Sequence, residues 1–307
     1  MRPDLMVTLW PSFPHFKRFA HDRRLAGIRL NSAMITLEDL ERELKTINEV
    51  KPTAPLYFDI KGRQLRVIEV LDNPDYLDVR LNHPVDVEVP TVILLKAGAD
   101  QALLGSISED GYRLTMKANP RYRVKAGESL HIRVPHSVRG DIFTELEREK
   151  IKMVRASGLI HRWFLSYVEK ASDVEEFRSL IGEDAELLLK IESQPGLQYV
   201  SEHWDPMEAP PKHTRLVAAC GDLFVEVERP HHIIGALRLI SARNVQALVG
   251  SRILLSIVQE PVPSFADIAQ LQWLREMGYE HFMLCDELCL KEDLLATAIN
   301  VFCEMFP

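Results

Sequence analysis

The sequence predicts an α/β fold, a (β/α)8 barrel with a small β domain inserted after its third strand. Three observations predict it. Short apolar runs rich in β-formers alternate with amphipathic segments over most of the chain, the pattern of strands and crossover helices around a parallel sheet. Eight such runs can be counted. Between about residues 70 and 135 the helical period vanishes, and β-like runs are broken by Gly and Pro.

In order, the barrel strands are expected at 5–9, 27–30, 56–59, 163–166, 187–191, 214–219, 246–251 and 281–284. Helices are expected between them wherever apolar residues recur at three- and four-residue intervals, as in Leu37, Leu40, Leu44 and Ile47, or Val174, Phe177 and Ile181. Thr36 and Thr144 stand at N-cap positions, with Asp39 and Glu147 three residues on in capping-box position. Inside the interruption, strands are expected at 86–89, 91–95, 112–116 and 129–134. Residues 1–69 and 136–307 are therefore assigned to the barrel and 70–135 to the insertion, which flexible joints would let act as a lid over the barrel mouth.

Composition narrows the function classes. A chain of 307 residues with 46% hydrophobic content can bury a large core. A net charge of -8 with no Lys/Arg-rich block argues against nucleic-acid binding. Cys220, Cys285, Cys289 and Cys303 lack CxxC pairing, so they read as reduced thiols rather than a disulfide framework or a zinc site. With no apolar run of membrane-spanning length and no signal-like N-terminus, the cytoplasm is the expected location.

Active sites of such barrels lie where strands end and βα loops begin. There the fifth strand runs into Lys190-Ile191-Glu192, and strand alternation puts Lys190 and Glu192 on one face. The sixth ends in Cys220-Gly221-Asp222, a second carboxylate behind a glycine that permits close backbone approach. Glu192 and Asp222 suit Mg²⁺ or Mn²⁺, and Lys190 would place a positive charge on a developing enolate or phosphoryl oxygen. An internal ion pair is the structural alternative. Cys220, beside Asp222, is reactive only if its pKa is lowered there. His203 and Asp205 are site-edge candidates, and His231-His232 reads as a solvated helix start.

Seven segments in one order resemble the pyruvate kinase family. Lys190-Ile191-Glu192-Ser193 with Gly196 is similar to its Lys-Ile-Glu-Asn…Gly, and Ala219-Cys220-Gly221-Asp222-Leu223 with Val225-Glu226 to its Ala-Arg-Gly-Asp-Leu-Gly-Val-Glu. Thr8-Leu9-Trp10-Pro11-Ser12, Ile28-Arg29-Leu30-Asn31-Ser32 and Phe58-Asp59-Ile60-Lys61-Gly62 through Arg66 resemble the motifs ending its first three strands. Phe164-Leu165-Ser166-Tyr167-Val168 is similar to Ala-Leu-Ser-Phe-Val, and Met283-Leu284-Cys285-Asp286-Glu287 to Met-Leu-Ser-Gly-Glu. The resemblance implies a TIM barrel of the phosphoenolpyruvate/pyruvate type. It makes Lys190 the phosphoryl and enolate lysine, Glu192 and Asp222 the divalent-metal ligands, Arg29 and Arg66 phosphate contacts, and Asn31 and Asp59 monovalent-cation ligands. Gly221 and Asp222 amides with Ser251 would hold the pyruvate carboxylate.

The pattern also breaks. Cys220 stands for an arginine, Phe224 for a glycine, Ser251-Arg252 for Thr-Gln and Ile60 for a threonine, while Ser-His-Gly and Pro-Thr-Arg-Ala-Glu segments are not reproduced. These losses fall on the K⁺ and nucleotide (ADP/ATP) sites. The chain ends at Pro307, so the family's C-terminal regulatory domain is expected to be lacking and the oligomeric state is left open. The expected activity is Mg²⁺-dependent phosphoryl transfer between phosphoenolpyruvate and a nucleoside diphosphate. The alternatives are a lyase or aldolase acting on a 2-oxo acid through its enolate, or an idle barrel that binds a metabolite.

Overall fold

The computed structural model describes residues 2–208 and 210–307, apart from the side chain of Met34. In chain order, β1 (Asp4–Thr8), the short α1 (Phe16–Phe19), β2 (Gly27–Asn31), α2 (Leu37–Val50) and β3 (Leu56–Ile60) open the barrel. The insertion follows as β4 (Val67–Leu71), β5 (Asp78–Leu81), β6 (Val85–Val87), β7 (Thr91–Leu95), β8 (Asp100–Ile107), β9 (Arg113–Ala118), β10 (His131–Ile132) and β11 (His136–Val138). The chain returns through α3 (Glu145–Ser157), β12 (Arg162–Leu165), α4 (Ala171–Ile181), β13 (Glu186–Ile191) and α5 (Gln194–His203). It closes with β14 (Thr214–Ala219), α6 (Cys220–Glu226), α7 (His232–Arg243), β15 (Leu248–Gly250), α8 (Phe265–Glu276), β16 (His281–Met283), α9 (Asp286–Cys289) and α10 (Glu292–Met305).

The eight parallel strands close in the order β1-β16-β15-β14-β13-β12-β3-β2, a (β/α)8 barrel as the alternation predicts. All eight expected strands form, with ends shifted by a residue or two; β15 is shorter than the apolar run that signals it. Capping chemistry sets two helix starts: the Thr36 hydroxyl accepts the Asp39 N–H at the head of α2, and Thr144 and Glu147 form a reciprocal capping box on α3.

Packing inside the barrel positions everything that follows. One layer is apolar: Met6, Tyr57, Phe164, Leu188, Val217, Leu248 and Met283 form a buried cluster on the inward face. Gly27 completes it, because a Cβ there would come within 2.7 Å of the Tyr57 ring. Inward positions recur every second residue. The next layer toward the strand ends is therefore Thr8, Arg29, Asp59, Ser166, Lys190, Ala219, Gly250 and Cys285. An apolar plug thus lies beneath a largely polar floor.

The insertion folds into a six-stranded sheet, β10-β7-β8-β9-β5-β4, with β11 and β6 paired separately. Its core is its own, built from residues such as Leu81, Val85, Ile93, Leu104, Leu114 and Met116. Four of its strands escape the sequence pattern. In β4, for example, Ile68 and Val70 are exposed, so side chains on the open face are as apolar as those beneath and alternation is blurred. Among the described residues no helix is long and apolar enough to cross a membrane.

Candidate functional site

Asp59 is the centre of the polar floor. Its buried carboxylate lies 2.6 Å from Arg29 Nη2, 2.7 Å from Lys61 Nζ and 3.5 Å from Lys190 Nζ, and it accepts from Ser166 Oγ at 3.1 Å. Burial opposes its charge, but Lys190, Lys61 and Arg29 outweigh burial and hold it well below the usual carboxylate range. The same balance keeps Lys190 charged: burial lowers its pKa, Asp59 and Glu192 raise it, and the net shift is upward. Lys61 is less well matched, and burial pushes it down to about 7 despite Asp59.

Lys190 Nζ donates to Ser166 Oγ at 2.9 Å and lies 2.9 Å from Glu192 Oε1. Glu192 is fully buried; its Oε2 accepts the Tyr167 N–H at 2.9 Å from a backbone held at φ 50. Its Oε1 faces the Lys190 ammonium at 2.9 Å. Asp222 sits in the first turn of α6, directly after β14, and lines the same cavity of about 440 Å³ as Arg29, Arg66, Lys190 and Glu192. The two carboxyl groups are pushed apart electrostatically. Burial raises Glu192, and Asp222 adds to it; Asp222 is lowered because His131 and Lys190 outweigh its burial. Two carboxyl groups coupled in one cavity fit a divalent cation. Among the described residues no set of three or more His, Cys, Asp or Glu groups is arranged as metal ligands. Glu192 and Asp222 would thus share the ion with water and substrate oxygens.

Gly221 and Ser251 face each other across the cavity wall. A Cβ on Gly221 would meet Ser251 Oγ at 2.5 Å, and Ser251 itself adopts φ 69. The glycine permits this close approach. Two departures from the family pattern also meet in space, for the Arg252 guanidinium lies 5.1 Å over the Phe224 ring and donates to Ala97 O in the insertion at 3.1 Å.

The arginines are less free than the sequence suggests. Arg29 Nη1 is 2.6 Å from Asp286 Oδ1, and Asn31 Nδ2 donates to Asp286 Oδ2 at 2.9 Å. The Asn31 side-chain oxygen also caps the next turn, accepting the Ala33 N–H. Arg66 donates to Gln64 Oε1 and Gly127 O, and burial lowers its pKa although Asp222 and Asp59 oppose the shift. The two residues matched to monovalent-cation ligands are thus engaged by the protein's own groups, Asp59 by three cations and Asn31 by Asp286.

The structure adds residues that sequence reasoning passed over. From the insertion, His131 reaches down to lie 3.6 Å from Asp222, 2.7 Å from Glu226 and 3.0 Å from the Tyr167 hydroxyl. Burial lowers its pKa, but Glu226 and Asp222 more than restore it. No local pattern announces His131, whose role comes from docking of two sheets. Asp286 was signalled: it stands where the resembled motif has glycine.

One expectation is corrected and one condition is not met. His203 ends α5 and Asp205 follows it before β14, at the opposite end of the barrel from the cavity, because an αβ loop returns the chain to the strand starts. Cys220 is no activated thiol; burial pushes it up to about 12, with Arg252 too weak to compensate. Cys285 and Cys289 are core residues, and His231 and His232 are exposed at the head of α7.

No family model matches the chain. It is 24% identical over 301 residues to a pyruvate kinase of Methanocaldococcus jannaschii, covering 92% of this chain and 64% of that protein. A pyruvate kinase of Thermoplasma acidophilum is 22% identical over 293 residues, 88% of this chain and 52% of its own length. That of Candida albicans matches over 118 residues at 27% identity, 36% of this chain and 22% of the relative. The chain thus spans between about half and two-thirds of the first two relatives.

Proposed function

The chain is a member of a pyruvate kinase-like family, and from that premise we propose that its barrel mouth performs divalent-metal-dependent chemistry on the enolate of pyruvate or a related 2-oxo acid. One observation carries the reading: Lys190 and Glu192 are in contact 2.9 Å apart, and both line one cavity with Asp222. Glu192 and Asp222 would hold Mg²⁺ or Mn²⁺, which when bound neutralises charge building on substrate oxygens. Lys190 supplies a second positive charge at the enolate oxygen, kept ionised by Asp59 and Glu192. Ser251 and the backbone around Gly221 would position the substrate carboxylate, and Arg29 and Arg66 would face a phosphate.

With those roles the names of the relatives favour phosphoryl transfer between phosphoenolpyruvate and a nucleoside diphosphate. The barrel strands carry the chemistry in this proposal, and the inserted sheets, β4 through β11, act as a lid. A cytoplasmic location belongs to it, and K⁺ does not. A second reading, lyase or aldolase chemistry on a non-phosphorylated 2-oxo acid, is favoured by Asp286, which engages both Arg29 and Asn31. It needs the metal, the lysine and a carboxylate pocket but no nucleotide.

The test is phosphoenolpyruvate, ADP and Mg²⁺ in an assay coupled through lactate dehydrogenase, beside calorimetric titration with ADP and with Mg²⁺ plus oxalate. Turnover that Glu192→Gln reduces by at least about a hundredfold supports phosphoryl transfer. Binding of Mg²⁺ and oxalate without ADP binding or turnover selects the lyase reading. If neither metal nor oxalate binds, the barrel is catalytically idle and the proposal fails.

A further inference from the structure

Arg29 has five N–H donors in a planar fork. Nε and Nη2 turn to Asp59 at 2.7 and 2.6 Å, the buried counterion beneath the floor. Nη1 faces the mouth and is divided between Thr8 Oγ1 at 3.0 Å and Asp286 Oδ1 at 2.6 Å. The other Asp286 oxygen receives the Asn31 amide at 2.9 Å. One carboxylate therefore spans a guanidinium and an amide with its two oxygens, the contact pattern an incoming phosphate oxygen pair would make. The Asp59 carboxylate has no solvent exposure, whereas that of Asp286 keeps 33% and borders the cavity. Asp59 is shared among Arg29, Lys61 and Lys190, so Asp286 is the further anion on Arg29, placed on the substrate's side.

We propose that Asp286 is a built-in anion occupying the phosphate end of the pocket, which makes the site select 2-oxo acids that carry no phosphoryl group. This narrows the substrate class, selects the second reading over phosphoryl transfer, and rests on the reading of the mouth as a metal-dependent site for pyruvate-type acids. A phosphoryl dianion arriving at Arg29 and Asn31 meets a carboxylate already holding their donors, and like charges so close disfavour binding strongly. Lys190, Glu192, Asp222 and Ser251 make no direct contact with Asp286 and come from β13 and its following residue, α6 and the turn after β15. A distal group that is neutral or donates a hydrogen bond suits Asp286; a phosphate does not.

The test uses the full chain, titrated with inorganic phosphate without metal and with phosphoenolpyruvate and pyruvate in Mg²⁺. Asp286→Ser removes the anion, Asp286→Asn removes its charge while keeping its size, and Arg29→Met on the Asp286→Ser background removes the vacated donor. Both single variants should bind phosphate at least about tenfold more tightly than the wild type, and the double variant should lose the gain. Wild-type protein that prefers phosphoenolpyruvate to pyruvate, or phosphate affinity unchanged in both single variants, overturns the assignment. A separate titration with Mg²⁺ and oxalate reads the underlying proposal. Its failure alongside a gain in phosphate affinity would sink the metal site and leave Asp286 as the phosphate-excluding group.

Discussion

Glu192, Lys190 and Asp59 form a chain of alternating charge in which each member is buried and each is kept ionisable by the next. Such groups are costly to desolvate singly and tolerable together. Strand alternation makes Lys190 and Glu192 legible from sequence, and the glycine before Asp222 marks the second carboxylate. Lys61, Ser166 and Tyr167 lie within quoted motifs, but their contacts depend on which neighbouring strand stands opposite, and spacing says nothing of that. Gly221 offers a sharp residue-scale prediction. Its missing Cβ is what lets Ser251 Oγ sit against α6, so Gly221→Ala should force that hydroxyl into another rotamer at a cost of about 1 kcal/mol. Adding Ser251→Ala should recover much of that loss, because the hydroxyl is the clashing atom. Chemical denaturation of the two single variants and the double gives the coupling, and additive losses would refute the contact.

At the level of elements, β3 and the insertion are fastened where His83 meets the loop after β3. The buried His83 ring donates through Nε2 to Gly62 O at 2.9 Å, while Gly62 N–H donates to Glu147 on α3. Burial lowers the His83 pKa below its ordinary 6.5, outweighing the opposing pull of Glu147 and the Gly62 carbonyl. The unfolded chain therefore takes up this proton first as pH falls. The stability His83 allows is present above 6.5 and is lost on acidification through 6.5 toward the lower folded value. The urea midpoint should fall more steeply between about pH 7 and 5.5 in the wild type than in His83→Gln, which retains an N–H donor. Equal slopes would assign the acid sensitivity elsewhere. None of this is readable from the sequence around His83, which shows only a histidine before Pro84 in an irregular stretch.

The whole molecule is a barrel with a sheet docked over its mouth. Arg133 Nε donates to Val225 O at 2.6 Å, His131 lies 2.7 Å from Glu226, and Arg252 reaches Ala97 O. Each falls on or beside α6, the element that also carries Asp222. Docking of the insertion and organisation of the proposed metal site are therefore linked. Arg133→Met should loosen the docking by about 1 kcal/mol, one hydrogen bond, and speed amide exchange in β7 and β10 roughly fivefold while barrel amides hold their rates. Equal acceleration across the barrel would show that the insertion is an inseparable part of it. By itself the sequence determined the barrel, since eight buried strands and their amphipathic helices are written in local periodicity. It also determined the face on which Lys190 and Glu192 stand, because side chains on a strand alternate. Only the tertiary structure decided that His131 meets Asp222 and that Asp286 spans Arg29 and Asn31. Those pairs lie 91 and about 255 residues apart, and their contact follows from barrel closure and sheet docking rather than from any local pattern.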